Sequence, residues 1–431
     1  MAVNTGAART SLWRNRDFML LWGGQSVSEI GSQVTVLALP LVAVVVLNAS
    51  TLQVGLVSTA ATSAFLLIAL PAGVLVDRFP GRRLMIWCDV ARVIVIGSVP
   101  VAATAGMLTL GQLYICALVS SVFSVLFSVS YQTYLPVLLA GEDLMDGNGK
   151  LGTSQSVAQI AGPSLGAGLV GLVGAAKAMA GDALSYALSA VSLLAISVRE
   201  PAKTASTGSR PGSDRVPIRT QIGEGLRYVM RDPILRKAVA WSGSANFFVI
   251  MVESLGPVFL VRTVHLRPGY VGLLLALGAV GGLVGGLCSG PLARRVGSAR
   301  ISWLSMTVFS LPGLLIPLAQ RGPLVVLFAL GWMSWTFAST LCFIALTSYR
   351  QAVCPPELLG RVNASARWIV WGTLPLGGLV GGALGSALGV RATLWIAVVG
   401  GCSSGLWLYF SPLRRMRDIP MPVGVPSTVG A

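Results

Sequence analysis

Acidic residues and histidine are what this sequence most lacks. Fifteen Asp and Glu are spread over 431 residues, and His265 is the single histidine. Zinc sites and Ser-His-Asp catalysis need neighbouring partners that so sparse a supply does not provide. The six cysteines (Cys88, Cys116, Cys288, Cys342, Cys354, Cys402) contain no CxxC pair and no metal-like grouping. Five lie in or beside apolar runs, where cysteine behaves as a small hydrophobe. An integral membrane enzyme would need a cluster of His, Cys or Asp at one membrane face, and none is visible. The chain therefore reads as a non-enzyme with neither metal nor cofactor. A cleavable signal peptide is not expected, because the first apolar run is too long and follows a polar, Arg-bearing start.

What is present in excess is apolar. Hydrophobic residues make up 54% of the chain and charged residues 11%, with a mean hydropathy of +0.77. A soluble chain of this length would need far more polar surface, so the composition indicates a polytopic membrane protein. The net charge of +16 invites a nucleic-acid reading. That reading fails on placement, because the basic residues sit in short loops between apolar runs and form no patch with interleaved aromatics.

A membrane helix needs about 20 apolar residues to cross roughly 30 Å of hydrocarbon. Runs of that kind occur near 18–46, 52–76, 84–105, 112–135, 152–174 and 178–197. Six more occur near 238–261, 269–293, 299–319, 323–349, 365–389 and 391–411, giving twelve expected spans. An even count places both termini on one side, and 26 of the 31 basic residues fall on that side, which marks it as cytoplasmic. The opposite side holds only Lys177, Arg262, Arg267, Arg321 and Arg391. The expected plan is a cytoplasmic N-terminus (1–17), a six-helix bundle (18–197), a linker (198–237), a second six-helix bundle (238–411) and a cytoplasmic tail (412–431). The linker's second half spaces Ile222, Leu226, Tyr228, Val229 and Met230 helically among arginines, which predicts an amphipathic helix on the membrane surface.

The halves echo each other. Glu142, Leu144 and Asn148 precede span five, and Glu357, Leu359 and Asn363 precede span eleven, each at an offset of 215. Gly73-x-x-x-Asp77-Arg78 is answered by Gly290, Arg294 and Arg295 at an offset of 217. GPSLGAGLVG in span five resembles LPLGGLVGGALG in span eleven. Two similar bundles around a pseudo-two-fold axis, with a site near mid-membrane, is a common transporter plan.

Several polar groups lie inside the apolar runs. Gln25, Ser28, Glu29, Ser32 and Gln33 share one face of span one, with Glu29 about 16 Å into it. A charge at the bilayer centre costs about 2.5–3.5 kcal/mol on insertion scales, so this face should meet water or protein. Glu253 shares a face of span seven with Ser242 and Asn246, and Asp182 lies near the start of span six. Glu29 and Glu253 are candidate proton carriers and Asp182 a weaker one; alternatively a neighbouring hydroxyl, amide or arginine satisfies each. Asp89 and Arg92, three apart on span three, are expected to form a structural pair. Gln155, Gln159, Gly162 and Gly166 form one stripe of span five, and Pro163 can bend that helix.

Phrases such as NRDFMLLWGGQSVSEIGSQV, GDALSYALSAVSLLAI, EGLRYVMRDPILR and PPELLGRVNAS carry a resemblance. The chain resembles the major facilitator superfamily over essentially its whole length, and within it the branch of enterobactin exporters and macrolide-efflux proteins. The resemblance implies an all-α integral membrane fold of twelve helices in two pseudo-symmetric bundles. It also implies alternating access, with Gly73, Asp77, Arg78, Arg82 and Arg83 as a latch that fastens span two against span eleven near Asn363 and Ser365. Arginines that merely enforce topology are the alternative. Pro80 departs from the family's glycine in that turn.

Gly149, Gly162, Pro163 and Gly166 match the superfamily's antiporter motif, whereas Ala158 and Ala167 replace two of its glycines. The cavity is expected between spans one, four, five, seven, ten and eleven. Gln25, Gln33, Gln155, Gln159, Asn246, Phe247, Trp332 and Trp335 are candidate liners beside Glu29 and Glu253. The expected partners are a small-molecule substrate, protons and the lipid bilayer, for a monomer in a bacterial cytoplasmic membrane driven by the proton gradient. Export of an amphipathic or hydrophobic compound by proton antiport is the favoured direction, and import of a metabolite is the rival. Span four lacks the arginine that many drug/proton antiporters carry.

Overall fold

The computed structural model describes residues 12–68, 72, 76, 79–139, 142–198, 218–354 and 356–419. Ten of the described helices are long and apolar enough to cross a membrane: Arg16–Val46, Gly81–Thr104, Leu110–Leu138, Ala175–Ala195, Pro233–Thr263, Tyr270–Val296, Ser298–Leu318, Pro323–Arg350, Ser365–Ala387 and Val390–Tyr409. They correspond to spans one, three, four and six to twelve. Span two is described as the 17-residue helix Thr51–Leu67 and span five as Glu142–Val173, which completes the expected plan of twelve. Leu172, Trp87, Ile94, Val101 and Ile115 are among many large apolar side chains left exposed. That suits helices whose outer faces meet hydrocarbon, whereas a soluble protein would cover most of them.

The chain divides into two compact units, Met1–Val42 with Leu67–Ser209, and Ala43–Leu66 with Arg210–Ala431. Sequence order places residues 43–66 in the first bundle; by packing they join the second unit. Gly55 lies so close to span eleven that a Cβ there would approach Gly382 Cα at 2.6 Å and Gly378 O at 2.7 Å. Thr59 completes the contact with a hydroxyl bond to Pro375 O (3.2 Å). Small residues on both faces let the backbones approach, the usual means of helix association where hydrophobic burial offers little gain.

The repeat extends to backbone detail. Span one starts behind an Asn15 cap whose side chain accepts from Phe18 N, and span seven behind an Asp232 cap accepting from Ile234 N and Leu235 N. Each runs 26 residues with a proline near its end, Pro40 or Pro257. Each then widens into five residues of π-helix, Val42–Val46 and Phe259–Thr263. Proline has no N–H for the carbonyl one turn back, so regular helical bonding loosens there. Asn48 (φ 49°) and His265 (φ 58°) follow, the two non-glycine residues with positive φ among those described, and they stand 217 apart. Gly174 and Gly389, 215 apart, both at φ 85°, turn the chain into spans six and twelve.

In the first unit, span one packs on spans five and six, and span three on spans four and six. In the second, span seven packs on spans eleven and twelve, and span ten on spans eight and nine. Span nine is irregular: Ser298–Leu304 is α-helix, Ser305–Phe309 π-helix and Leu311–Leu318 3-10 helix. Pro312 and Pro317 remove two donors from that stretch. The linker helix Ile218–Arg231 docks on the second unit. Val229 is buried in its core, and Tyr228 donates to Val353 O at 2.9 Å. The apolar face expected on the membrane surface is thus partly covered by protein, with Leu226 and Met230 left exposed.

Candidate substrate and coupling site

In the first unit the polar stripe of span one is half-buried at Gln25, Glu29 and Gln33. Gln25 Nε2 donates to Glu29 Oε1 at 3.0 Å, the i,i+4 contact expected of one helix face. Span five crosses this stripe on glycine: a Cβ at Gly162 would meet Gln33 Cβ at 2.4 Å, and one at Gly166 would meet Val34 Cα at 3.2 Å. Gly149 has open space around it. The helix of span five is continuous from Glu142 to Val173, and Gln155 is exposed on it. The side chains of Gln159 and Pro163 lie outside the described residues.

Behind the stripe lies a buried charged cluster. Asp89 and Arg92 form an ion pair, and both are buried. The Arg92 guanidinium is sandwiched between the rings of Tyr186 (4.1 Å) and Phe127 (4.7 Å), so aromatic faces serve a cation cut off from water. The Tyr186 hydroxyl shares a 2.7 Å hydrogen bond with Ser32. Asp182, fully buried, accepts from the Ser185 hydroxyl at 3.1 Å. Its position is opened by Gly31, where a Cβ would fall 2.6 Å from Asp182 Oδ1 and 2.2 Å from Ser185 Oγ. Asp182 is therefore a core residue with Oδ1 partnered and Oδ2 buried without a hydrogen-bond partner among the described residues.

Of the expected latch, Gly73, Asp77 and Arg78 lie outside the described residues, as does the side chain of Asn363. Arg83 is exposed. Arg82 Nε donates to Leu193 O and Nη2 to Leu194 O, both at 2.8 Å. A guanidinium on the last carbonyls of span six satisfies acceptors that a helix end leaves open and complements its dipole.

In the second unit Asn246 is half-buried and reaches Val370 O of span eleven at 3.4 Å. Phe247 stacks edge-on with Phe248 at 5.2 Å, and its carbonyl lies against Gly377. Glu253 is exposed, although Met251, Val252, Ser254 and Leu255 around it are buried. Its carboxylate makes no hydrogen bond or ion pair with another described residue. Pro257 also supplies no N–H to the Glu253 carbonyl.

The two tryptophans expected as cavity liners belong to the packed interior. Trp335 is 1% exposed, wedged where a Cβ on Gly401 would lie 1.7 Å from its Cη2 and one on Gly313 would lie 3.0 Å from its Cε3. Trp332 is buried likewise against Gly278 of span eight. The glycines that receive these rings lie on other spans, so spacing along span ten could not reveal them.

Sequence reasoning also passed over a group on span eleven. Arg367, counted only as a loop cation, lies over the Trp371 ring at 4.5 Å. Phe65 meets the same ring at 4.3 Å in a tilted edge contact, and Trp368 Nε1 donates to Leu66 O at 3.4 Å. The i,i+4 spacing of Arg367 and Trp371 was the available signal.

Comparison with known proteins agrees with this architecture. The family model of the Major Facilitator Superfamily matches residues 21–373. The multidrug efflux pump Tap of Mycobacterium tuberculosis is 27% identical over 427 residues, covering 95% of this chain and 98% of that protein. The enterobactin exporter EntS of Citrobacter koseri is 25% identical over 395 residues and is covered to 88%, as is this chain. Among solved structures, a bacterial homologue of the iron transporter ferroportin in its inward-facing state matches in fold. Its TM-score is 0.74 at 16% identity, covering 93% of this chain and 99% of that one. The twelve-span plan, the repeated half and a family match over most of the length lead to one conclusion: this chain belongs to the Major Facilitator Superfamily.

Proposed function

We propose that this transporter exports an amphipathic or hydrophobic small molecule from a bacterial cytoplasm in exchange for protons, by alternating access. The observation that carries export is the near full-length similarity to proteins named as a multidrug efflux pump and an enterobactin exporter. Coupling is assigned to Glu29, a half-buried carboxylate in an apolar helix, held by Gln25 (3.0 Å) on a face that also carries Gln33. An ionisable group at such depth is costly to insert and marks a proton or substrate path. Glu253, exposed among buried neighbours, is the second candidate carrier. Asp77 is assigned the conformational switch, with Gly73 and Arg78 beside it.

The test is a susceptibility and efflux screen across toxic compounds in an export-deficient bacterial host. Wild type should lower accumulation of at least one amphipathic compound, and collapsing the proton gradient should abolish that effect. Glu29→Gln should bring efflux to the level of the empty host while the purified protein still binds the compound. Asp77→Asn should likewise separate binding from transport. Normal efflux by both variants, or raised accumulation with wild type, would refute the proposal.

A further inference from the structure

Two basic side chains among the spans of the second unit end on carbonyl oxygens. Arg262 reaches Ala49 O at 2.7 Å and Arg391 reaches Ala319 O at 3.1 Å. Arg367 differs. It lies in the span Ser365–Ala387, is exposed, and among the described residues has neither a carboxylate partner nor a hydrogen-bond acceptor. Its one contact of note is the face of Trp371, so its five N–H donors find no acceptor among the described residues.

The ring beneath it is held firmly. Phe65 braces one edge of Trp371, the neighbouring Trp368 is tied to Leu66 O, and Gly372 lets Leu66 Cδ1 come within 3.1 Å of where a Cβ would stand. Arg367 is the third residue of that span, where a long cationic side chain reaches the membrane interface at little cost, so insertion energy alone assigns it no role. A planar guanidinium stacked on an aromatic platform instead presents a fork for a planar anion beside a surface for a second ring.

Resting on the transport reading above, we infer that Arg367, Trp371 and Phe65 form a recognition site for aromatic compounds bearing an anionic group. The carboxylate or equivalent pairs with the guanidinium, and the compound's ring packs against the indole. A lipid headgroup phosphate offers the same anion without the ring, so the two sources separate in the test.

The full-length protein is purified into phosphatidylcholine nanodiscs and titrated with 2-naphthoate and with 2-naphthylmethylammonium, which share a ring and differ in charge. Wild type should prefer naphthoate. Arg367→Gln should weaken naphthoate about tenfold or more while changing the ammonium compound less than about twofold, as expected for loss of a charge-assisted pair. Arg367→Lys should retain part of the preference, and Trp371→Leu should weaken both probes. Unchanged melting temperatures of the variants confirm that folding is preserved.

Equal effects of Arg367→Gln on both probes, or no preference in wild type, overturn the assignment. So does loss of the Arg367-dependent binding when phosphatidylglycerol is added, which would make a lipid headgroup the occupant. A wild type that exports compounds in the cell screen yet binds neither probe overturns this site alone. One that exports nothing removes the function on which the site rests.

Discussion

The two units share a backbone plan and fill it with opposite chemistry. In the first, Asp89, Arg92, Asp182 and Tyr186 occupy the interior. At the corresponding positions of the second, 215 or 217 residues on, stand Met306, Phe309, Ala397 and Gly401. Even the small residue at the crossing of the first and last span of each unit changes sides. Gly31 of span one faces Ser185 of span six, whereas Phe248 of span seven presses its ring onto Gly400 of span twelve. Trp335 then fills the space over Gly401, the position equivalent to Tyr186. Either solution closes the space between helices, one by a buried ionic cluster and the other by aromatic packing. The comparison teaches that the repeat conserves turns and crossings and leaves the interior free to diverge.

The largest expected effect tests that exchange. Arg92→Met should destabilise by about 3–5 kcal/mol, because it strands buried carboxylates. Replacing Asp89, Arg92 and Asp182 together by the second unit's Met, Phe and Ala should recover most of the loss, since a buried ionic group often gives way to apolar residues of similar volume. Chemical unfolding of the detergent-purified protein measures both. A triple variant no better than Arg92→Met would mean that the first unit needs its charges for more than filling space.

Gly401→Ala comes next, at about 1–3 kcal/mol of overpacking. The Trp335 ring, whose Cη2 lies 1.7 Å from the new Cβ, is buried on all sides and has nowhere to swing. Gly31→Ala, which meets Ser185 Oγ and Asp182 Oδ1 and, at 2.8 Å, Ser185 Cβ, should cost less, because the two nearest atoms are side-chain ends that can rotate. Reversal of that order would show that the ionic interior is the stiffer of the two. The smallest effect concerns the paired caps. Asp232→Ala should cost more than Asn15→Ala, around 1 kcal/mol or more against somewhat less. Asp232 accepts from Ile234 N and Leu235 N at 2.8 Å each and from the Tyr349 hydroxyl at 3.1 Å. Among the described residues Asn15 accepts from Phe18 N alone, at 3.1 Å.

Legibility followed the range of the physics. Asp89 with Arg92 and Gln25 with Glu29 meet within one helix, so their spacing exposes them. Arg82 could be assigned only to the turn that holds it, because the carbonyls it caps lie 111 and 112 residues away. Trp332 and Trp335 looked like lining residues for the same reason: the glycine faces that bury them come from spans eight, nine and twelve. The placement of residues 43–66 with the second unit depends on Gly55 meeting Gly378 and Gly382, a match between two distant small-residue faces.

By itself the amino-acid order determined that this is a membrane protein of twelve spans in two repeated halves, with its turns at stated places. Hydropathy over twenty residues, and the backbone preferences of glycine, proline and capping side chains, act on near neighbours. Only the tertiary structure decided which polar groups are buried and partnered, which aromatics are core, and that Arg367 stands on Trp371 with no acceptor among the described residues. Those outcomes depend on what another helix brings to within a few ångströms, and no local pattern encodes that distance.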